Sequence, residues 1–271
     1  MKNYFFIFIT CSLLLCCHHE QNEPIIPEEP KPEPEAPYVM PCGCGDEWPQ
    51  EETICDRELP WNYPIGTEEW NKMTTHQEAL EACQIPEEIL ASLSTDDLTE
   101  LCLMYPFFVE ALTVYPSYEL GLIGMFRDFN GIRELYQRKD VAKALLKKYR
   151  CLMQRMSILN GPALNVEKGL YICSIFDTEL LLSHYQSPDD SKENYIEILQ
   201  QLVCGHEKRL MHPEFYMGRV FYARAKMLVK IDEQNLESIP QGGSNDIFLK
   251  GRCDELTERA INDLSCQYIT N

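Results

Sequence analysis

Apolar residues recur every three or four positions through the last three quarters of the chain. In residues 139–154, one face of a helix would collect the apolar positions while lysines and arginines take another. That apolar face consists of Val141, Leu145, Tyr149 and Leu152. Comparable stripes run through Leu199, Val203, His206 and Leu210, through Met217, Val220, Phe221, Leu228 and Ile231, and through Cys253, Leu256, Ala260 and Leu264. No set of alternating apolar and polar positions indicates strands.

Helix start signals recur at short intervals in the same region. Thr74 and Gln77 have the spacing of a capping box. Pro86 precedes two glutamates and Ser94 precedes two aspartates, as in the first turn of a helix. We therefore predict an all-α domain over residues 67–271, built either as an array of antiparallel helix pairs, such as a HEAT-like array, or as an irregular bundle. No repeat at a fixed period decides between these two forms.

The composition changes between residues 18 and 40, where glutamate and proline alternate. Six glutamates and six prolines lie between Glu20 and Pro37. Such a segment has too little apolar surface to build a core, and its like charges repel. We predict a disordered, extended linker that holds the folded part at a distance from its point of attachment.

The first seventeen residues carry the pattern of a signal peptide. One lysine precedes a twelve-residue apolar run at positions 4–15. At about 1.5 Å per residue, this run covers only about 18 Å of a roughly 30 Å hydrocarbon core, so a spanning helix is not expected. The sequence Leu14-Leu15-Cys16-Cys17 resembles the lipobox of bacterial lipoproteins, and Cys17 fits better than Cys16 because the small Cys16 precedes it.

The lipobox resemblance implies a location and an anchor. In lipoproteins the lipobox cysteine becomes the first residue of the mature chain and carries acyl chains such as palmitate. Two or more chains hold a protein stably, whereas one chain holds it only marginally. We therefore expect lipid on Cys17, attachment to a membrane of the cell envelope with the outer membrane favoured, and a periplasmic or extracellular body.

The chain is strongly acidic, with 43 acidic residues, 24 basic residues and a formal net charge of −19. This charge makes nucleic acid and anionic lipid headgroups poor partners. Four acidic pairs, at 68–69, 87–88, 96–97 and 189–190, raise the idea of acid–base chemistry. Because most of them stand at predicted helix starts, favourable interaction with the helix dipole explains them better.

Ten cysteines remain after Cys11, Cys16 and Cys17. Cys42, Cys44 and Cys55 lie in an irregular segment at 41–66, where export would permit disulfides. We predict that Cys55 bonds one of the other two, which would stabilise the segment by about 3 kcal/mol or less. A metal site is the competing interpretation, but three cysteines without a nearby histidine support it weakly. The later cysteines stand among leucines at helical spacing, which favours buried free thiols.

The densest group of possible metal ligands is Cys204-Gly205-His206, with Glu207 and His212 nearby. In a continuous helix, Cys204 and His206 would point about 200° apart and therefore would not share a metal. His206 also continues the stripe through Leu199, so we predict a core histidine. A metal site would need a helix break at Gly205. We predict no metal and no cofactor.

All three tryptophans, Trp48, Trp61 and Trp70, lie before or at the first predicted helix. Their simplest role is to fasten an irregular segment to the helical body. The alternative role is an aromatic platform for a glycan or a peptide.

Four stretches of the chain resemble a known family. They are 66–70 (GTEEW), 85–90 (IPEEIL), 94–98 (STDDL) and Tyr105-Pro106. Together they are similar to a segment of uncharacterised helical lipoproteins exported by Gram-negative gut bacteria, over about residues 66–149. The resemblance implies an exported α-helical protein and transfers no catalytic residue.

Motifs of common catalytic sites are missing from the sequence. It contains no Gly-x-Ser-x-Gly, no His-Glu-x-x-His and no Gly-rich phosphate loop. We therefore predict a lipid-anchored, non-catalytic interaction module with a protein or glycan partner. The alternative is a hydrolase whose acid and base are carboxylates that only the fold brings together.

Overall fold

The periodic stretches form helices joined by short turns. The computed structural model describes residues 42, 44, 58–156, 166–188, 191–210, 221–240, 247–250 and 254–269, all within one compact unit that spans 41–271. The predicted signal peptide, lipidation site and linker lie outside these residues. Within them the helices are α1 (Glu68–Lys72), α2 (His76–Ala82), α3 (Glu87–Ser92), α4 (Thr95–Leu103), α5 (Phe108–Thr113), α6 (Tyr118–Asp128), α7 (Asn130–Leu135), α8 (Val141–Arg155), α9 (Val166–His184), α10 (Lys192–Leu210), α11 (Phe221–Ile231), α12 (Asn235–Ser238), α13 (Ile247–Lys250) and α14 (Glu255–Gln267).

The described residues contain no strand, and the all-α prediction is confirmed. Helix α8 packs against α4, α9 and α10, and α11 packs against α9, α10 and α14. Helix α6, early in the chain, contacts α13, late in the chain. In an open array each helix pair contacts only its neighbours, so this contact favours an irregular bundle.

Side chains cap the helices near the predicted starts. Ser94 accepts a hydrogen bond from the backbone N–H of Asp97 at the start of α4. At α2 the capping box pairs Thr75 with Glu78, one residue later than the predicted pair of Thr74 and Gln77. Three of the acidic pairs, at 68–69, 87–88 and 96–97, stand in first turns, whereas the pair at 189–190 lies outside the described residues.

The stripe predicted for α8 forms part of the core. Val141, Leu145, Tyr149 and Leu152 are all buried. On α14, by contrast, the predicted stripe is wrong at Leu256, which is 69% exposed, whereas Ala260 and Leu264 are half-buried and Cys253 lies outside the described residues.

Helices α5 and α6 form a hairpin whose backbones approach closely. A Cβ on Gly121 would lie 2.0 Å from the carbonyl oxygen of Ala111, and one on Gly124 would lie 2.3 Å from Oη of Tyr115. A side chain at Gly121 would therefore push α6 away from α5, whereas one at Gly124 would displace the side chain of Tyr115.

Across the described part of the chain, no helix combines the length and the apolar character needed to cross a membrane.

Candidate functional site

The first described residues are fixed covalently to two late helices. Cys42 forms a disulfide with Cys266 in α14, and Cys44 forms one with Cys204 in α10. Helices α10 and α14 also contact each other. We call Cys42, Cys44, Cys204, Glu207 and Cys266 the N-terminal clamp.

Glu207 completes the N-terminal clamp through hydrogen bonds. Its Oε1 accepts from the backbone N–H of Cys42 at 3.0 Å, and its Oε2 accepts from that of Cys44 at 3.1 Å. The residue is 2% exposed, and a buried carboxylate is costly unless it is hydrogen-bonded. Both oxygens thus obtain charge-assisted partners from a segment of chain 165 and 163 positions away.

The predicted pairing of Cys55 is wrong. Cys42 and Cys44 are both bonded to distant cysteines, and Cys55 itself lies outside the described residues. The prediction relied on closeness along the chain, whereas folding brings the Cα atoms of the actual partners to 4.9 and 5.4 Å.

The prediction of buried free thiols holds for some of the later cysteines. Cys83 and Cys102 are free and buried, and burial raises the pKa of the Cys83 thiol to about 12. Both thiols therefore stay protonated and unreactive at neutral pH. For Cys204 and Cys266 the prediction is wrong, and Cys151 is also disulfide-bonded.

The metal interpretation of Cys42 and Cys44 is also wrong. A metal binds the thiolate form of cysteine, and both sulfur atoms are used in disulfides. Among the residues that the structure describes, no group of three histidine, cysteine or acidic side chains is arranged to hold a metal ion.

His206 lies in the core, and α10 continues through Gly205 without a break. The imidazole is 2% exposed and meets the ring of Phe221 edge to face, with centroids 5.0 Å apart. Burial lowers the pKa of His206 strongly, and the nearby cations of Arg224 and Arg209 lower it further. The imidazole is therefore neutral at physiological pH.

A buried polar network joins α8, α9 and α10. Arg209 forms an ion pair with Glu179, and Oη of Tyr149 donates to Oε1 of Glu179 at 2.7 Å. All three side chains are almost fully buried. Gly205 makes room for this network, because a Cβ there would lie 2.1 Å from Oη of Tyr149.

A second buried arginine links α11 to α14. Nη1 of Arg224 donates to Oδ1 of Asn262 at 2.9 Å, and its guanidinium lies 4.4 Å from the ring centroid of Phe221. Cation–π contact and hydrogen bonding together compensate for the burial of this charge. These interactions indicate a structural role for Arg224.

Asp177 is the described carboxyl group that best fits the hydrolase alternative. It is 8% exposed, and burial raises its pKa well above the usual value. Its nearest carboxyl neighbour along α9, Glu179, lies about 200° around the helix and faces Arg209. Asp177 and Glu179 therefore do not converge on one substrate.

Lys226 and Lys230 on α11 bind polar groups of neighbouring helices. Lys226 forms an ion pair with Glu119 at 2.7 Å. Nζ of Lys230 donates to the carbonyl oxygens of Ser183, at 3.0 Å, and Tyr185, at the carboxyl end of α9. Burial, with a smaller contribution from Lys226, lowers the pKa of Lys230 to about 8. A lysine is favourable here because the carbonyl oxygens at the carboxyl end of α9 carry partial negative charge. We therefore assign Lys230 a structural role.

Two of the three tryptophans can be placed. Trp61 meets Tyr63 edge to face at 4.7 Å, and Trp70 lies 6.4 Å from Phe107. Both are partly buried against the core. They fasten the segment before α2 to the helices, and a glycan-binding role for them stays a prediction. Trp48 lies outside the described residues.

The α5–α6 hairpin carries an unusual share of the exposed apolar side chains. Four of the eight large apolar residues that are exposed in the described part of the chain lie in this hairpin. They are Val109, Val114, Leu120 and Ile123. We call Val109, Val114, Pro116, Leu120 and Ile123 the hairpin surface.

Comparisons of the chain with protein-family models, with curated proteins and with solved structures each found no match. No catalytic or binding residue is therefore transferred from a relative. Two features of the geometry bear on function, namely the N-terminal clamp and the hairpin surface.

Proposed function

We propose that this chain is an exported protein, held at a membrane by lipid on Cys17, that acts as a non-catalytic interaction module for a protein or glycan partner. The observation that carries this proposal is the N-terminal clamp. Disulfides form and persist in oxidising compartments outside the cytosol. A body stabilised by two long-range disulfides fits a chain that begins with a signal peptide.

The position of the N-terminal clamp fits an anchored body. Cys42 and Cys44 are the first described residues after Cys17, and each is bonded to a late helix. The segment that carries them separates from α10 and α14 only when disulfide bonds break.

Interaction, rather than catalysis, is supported by the state of the ionisable groups. The buried carboxylates of Glu179 and Glu207 already have arginine or backbone partners. Among the described side chains of α9, Asp177 has no converging carboxyl neighbour. The exposed apolar residues of the hairpin surface are instead the accessible feature that supports a binding role.

Intact mass spectrometry of the protein from its native membrane fraction tests this proposal. We expect the mass of a chain cleaved before Cys17 plus its acyl chains. Cys17→Ser should remove the acyl mass, and Cys16→Ser, the matched control, should retain it. A chain of unmodified mass that still carries residues 1–16 would contradict both the anchor and the export.

A further inference from the structure

His184, the last residue of α9, joins that helix to α6 and to the residue that follows α7. Its half-buried imidazole lies against the ring of Phe126 in α6, with the two centroids 4.9 Å apart. It also meets the ring of Tyr136 edge to face, with centroids 5.7 Å apart. A single titratable ring therefore lies in the contact between α6 and α9.

The end of α9 is already occupied by a cation. Nζ of Lys230 donates to the carbonyl oxygens of Ser183, at 3.0 Å, and of Tyr185, which stand on either side of His184. The last carbonyl oxygens of a helix carry partial negative charge and usually favour an imidazolium. Because Lys230 binds these oxygens, His184 obtains little of that stabilisation.

The charged groups that surround His184 come from three helices. Glu119 of α6 attracts an imidazolium, whereas Lys226 and Lys230 of α11 repel one. Glu119 is also paired with Lys226 at 2.7 Å, so its attraction is shared. Arg133 of α7 binds carbonyl oxygens at the end of α6 and brings a further positive charge. Burial, with the two lysines, lowers the pKa of His184.

We propose that His184 is an acid-sensitive latch, whose protonation releases α6, and with it the hairpin surface, from α9 and α11. In the closed form the added charge would lie in a half-buried site beside two lysines, whereas separation of the helices returns it to water. Histidine contacts that open on acidification are an established kind of pH switch. The opening itself is independent of the proposed function, but its use in regulating binding at the hairpin surface rests on that function.

Hydrogen exchange of the backbone amides of α6 measures this opening in the full chain with its disulfides intact. In the open form His184 titrates as an ordinary histidine, near pH 6.5, and in the closed form it titrates lower. The closed form therefore loses stability as the pH falls through that range.

We expect the protection factors of α6, corrected for the intrinsic effect of pH on exchange, to fall about three- to tenfold between about pH 7.5 and about pH 5.5. Amides of α8, in the core of the bundle, report opening of the whole molecule and should change less. Unchanged protection of α6 would overturn the proposal, as would a fall of equal size in α8.

His184→Phe keeps an aromatic ring at this place but cannot be protonated. In this variant the acid-dependent loss of protection in α6 should disappear. The matched control is His76→Gln. His76 also reaches the hairpin, through Glu110 at 3.5 Å, but its protonation strengthens that pair. The control should therefore retain the full loss, and retention of the loss by His184→Phe would contradict the latch.

Two further variants break the same ion pair and should have opposite effects. Glu119→Gln removes the attraction to an imidazolium, so the loss of protection on acidification should increase. Lys226→Gln removes a repulsion and leaves Glu119 to attract the imidazolium, so the loss should shrink. A merely structural effect of the lost ion pair would be equal in both variants, and that result would overturn the proposal.

A nuclear magnetic resonance titration of the imidazole in the natural chain tests the latch without any substitution. We expect His184 to titrate below the ordinary histidine range. A pKa within or above that range would overturn the latch. None of these measurements depends on lipid at Cys17, so an unacylated chain that opens in acid would contradict the anchor and leave the latch standing.

Discussion

At the scale of single residues, Glu207 shows how a buried charge orders a distant segment of chain. Its two oxygens accept from the backbone N–H groups of Cys42 and Cys44. The disulfides fix where that segment attaches, and Glu207 fixes the orientation of its peptide groups. The covalent bonds and the hydrogen bonds therefore support the same geometry.

Replacing Glu207 by glutamine should lower the free energy of unfolding by about 1–3 kcal/mol. The substitution removes the charge and places an amide donor against one of two N–H donors, so one backbone group loses its partner. Urea unfolding of the oxidised protein, followed by circular dichroism, measures the change. Glu197→Gln, at an exposed position of the same helix, should have almost no effect. Equal effects of the two substitutions would contradict the role of Glu207.

Asp177 should make stability depend on pH. Its folded pKa is raised by burial, whereas in the unfolded chain an aspartate titrates near pH 3.9. As the pH rises above about 4, the unfolded state releases a proton that the folded state retains, so stability falls until the pH passes the folded pKa.

Asp177→Asn should remove the loss of stability that rising pH causes in the natural chain. We expect the free energy of unfolding of the variant, relative to the natural chain, to be higher at pH 7 than at pH 4. Comparing the two proteins at each pH cancels the effect of His206, whose lowered pKa makes stability fall as the pH drops through the ordinary histidine range. A difference that is the same at both pH values would exclude Asp177 as the cause.

Local signals in the sequence predicted many single residues correctly. Ser94 caps α4, and His206 lies in the core. These assignments depend on residues within one or two turns, and periodicity reports such relations well. Glu207 was noted only as a neighbour of a possible metal site, and its actual role was not predicted, because its partners lie about 165 positions away. No local pattern marks a glutamate that will be buried by a distant backbone segment.

At the scale of elements, α14 shows where hydrophobic periodicity fails. The pattern placed Leu256 inward, but the helix buries Thr257 and Ile261 instead. Its inward side also carries Asn262, which Arg224 of α11 requires as a hydrogen-bond acceptor. A polar residue such as Asn262 is buried but does not contribute to an apolar stripe. The spacing of apolar residues alone therefore predicted the wrong buried face for α14.

The α5–α6 hairpin depends on the absence of a side chain at Gly121. Gly121→Ala should lower the free energy of unfolding by about 1–3 kcal/mol, because the new Cβ would meet main-chain atoms of Ala111 that cannot move aside. Thermal unfolding measures this effect.

Gly169 in α9 provides the matched control. A Cβ there meets no atom of the described residues within 4 Å. Gly169→Ala should therefore be neutral or raise the free energy of unfolding by up to about 1 kcal/mol, as expected for a helical position. Destabilisation of the same size at both glycines would show that close packing of the hairpin is not the cause.

At the scale of the whole molecule, two disulfides join the start of the body to its late helices. The sequence indicated export and hence disulfides, but connectivity depends on which cysteines the completed fold brings together. Replacing Cys42 and Cys266 together by serine should lower the free energy of unfolding by about 2–5 kcal/mol, as expected for a long closed loop. The natural chain under reducing conditions should be at least as unstable as this variant. If reductant leaves the natural chain unchanged, the disulfide does not contribute.

The bond between Cys42 and Cys266 also has a mechanical consequence. It spans 224 positions of a 271-residue chain. A pulling force applied at the two ends is transmitted through the sulfur atoms, so it bypasses the helices between them. In optical tweezers the oxidised chain should extend only by the residues outside the loop. After reduction, roughly 750 Å of further contour length becomes available. Because the α5–α6 hairpin lies inside this loop, a pull on the two ends of the oxidised chain leaves the hairpin folded.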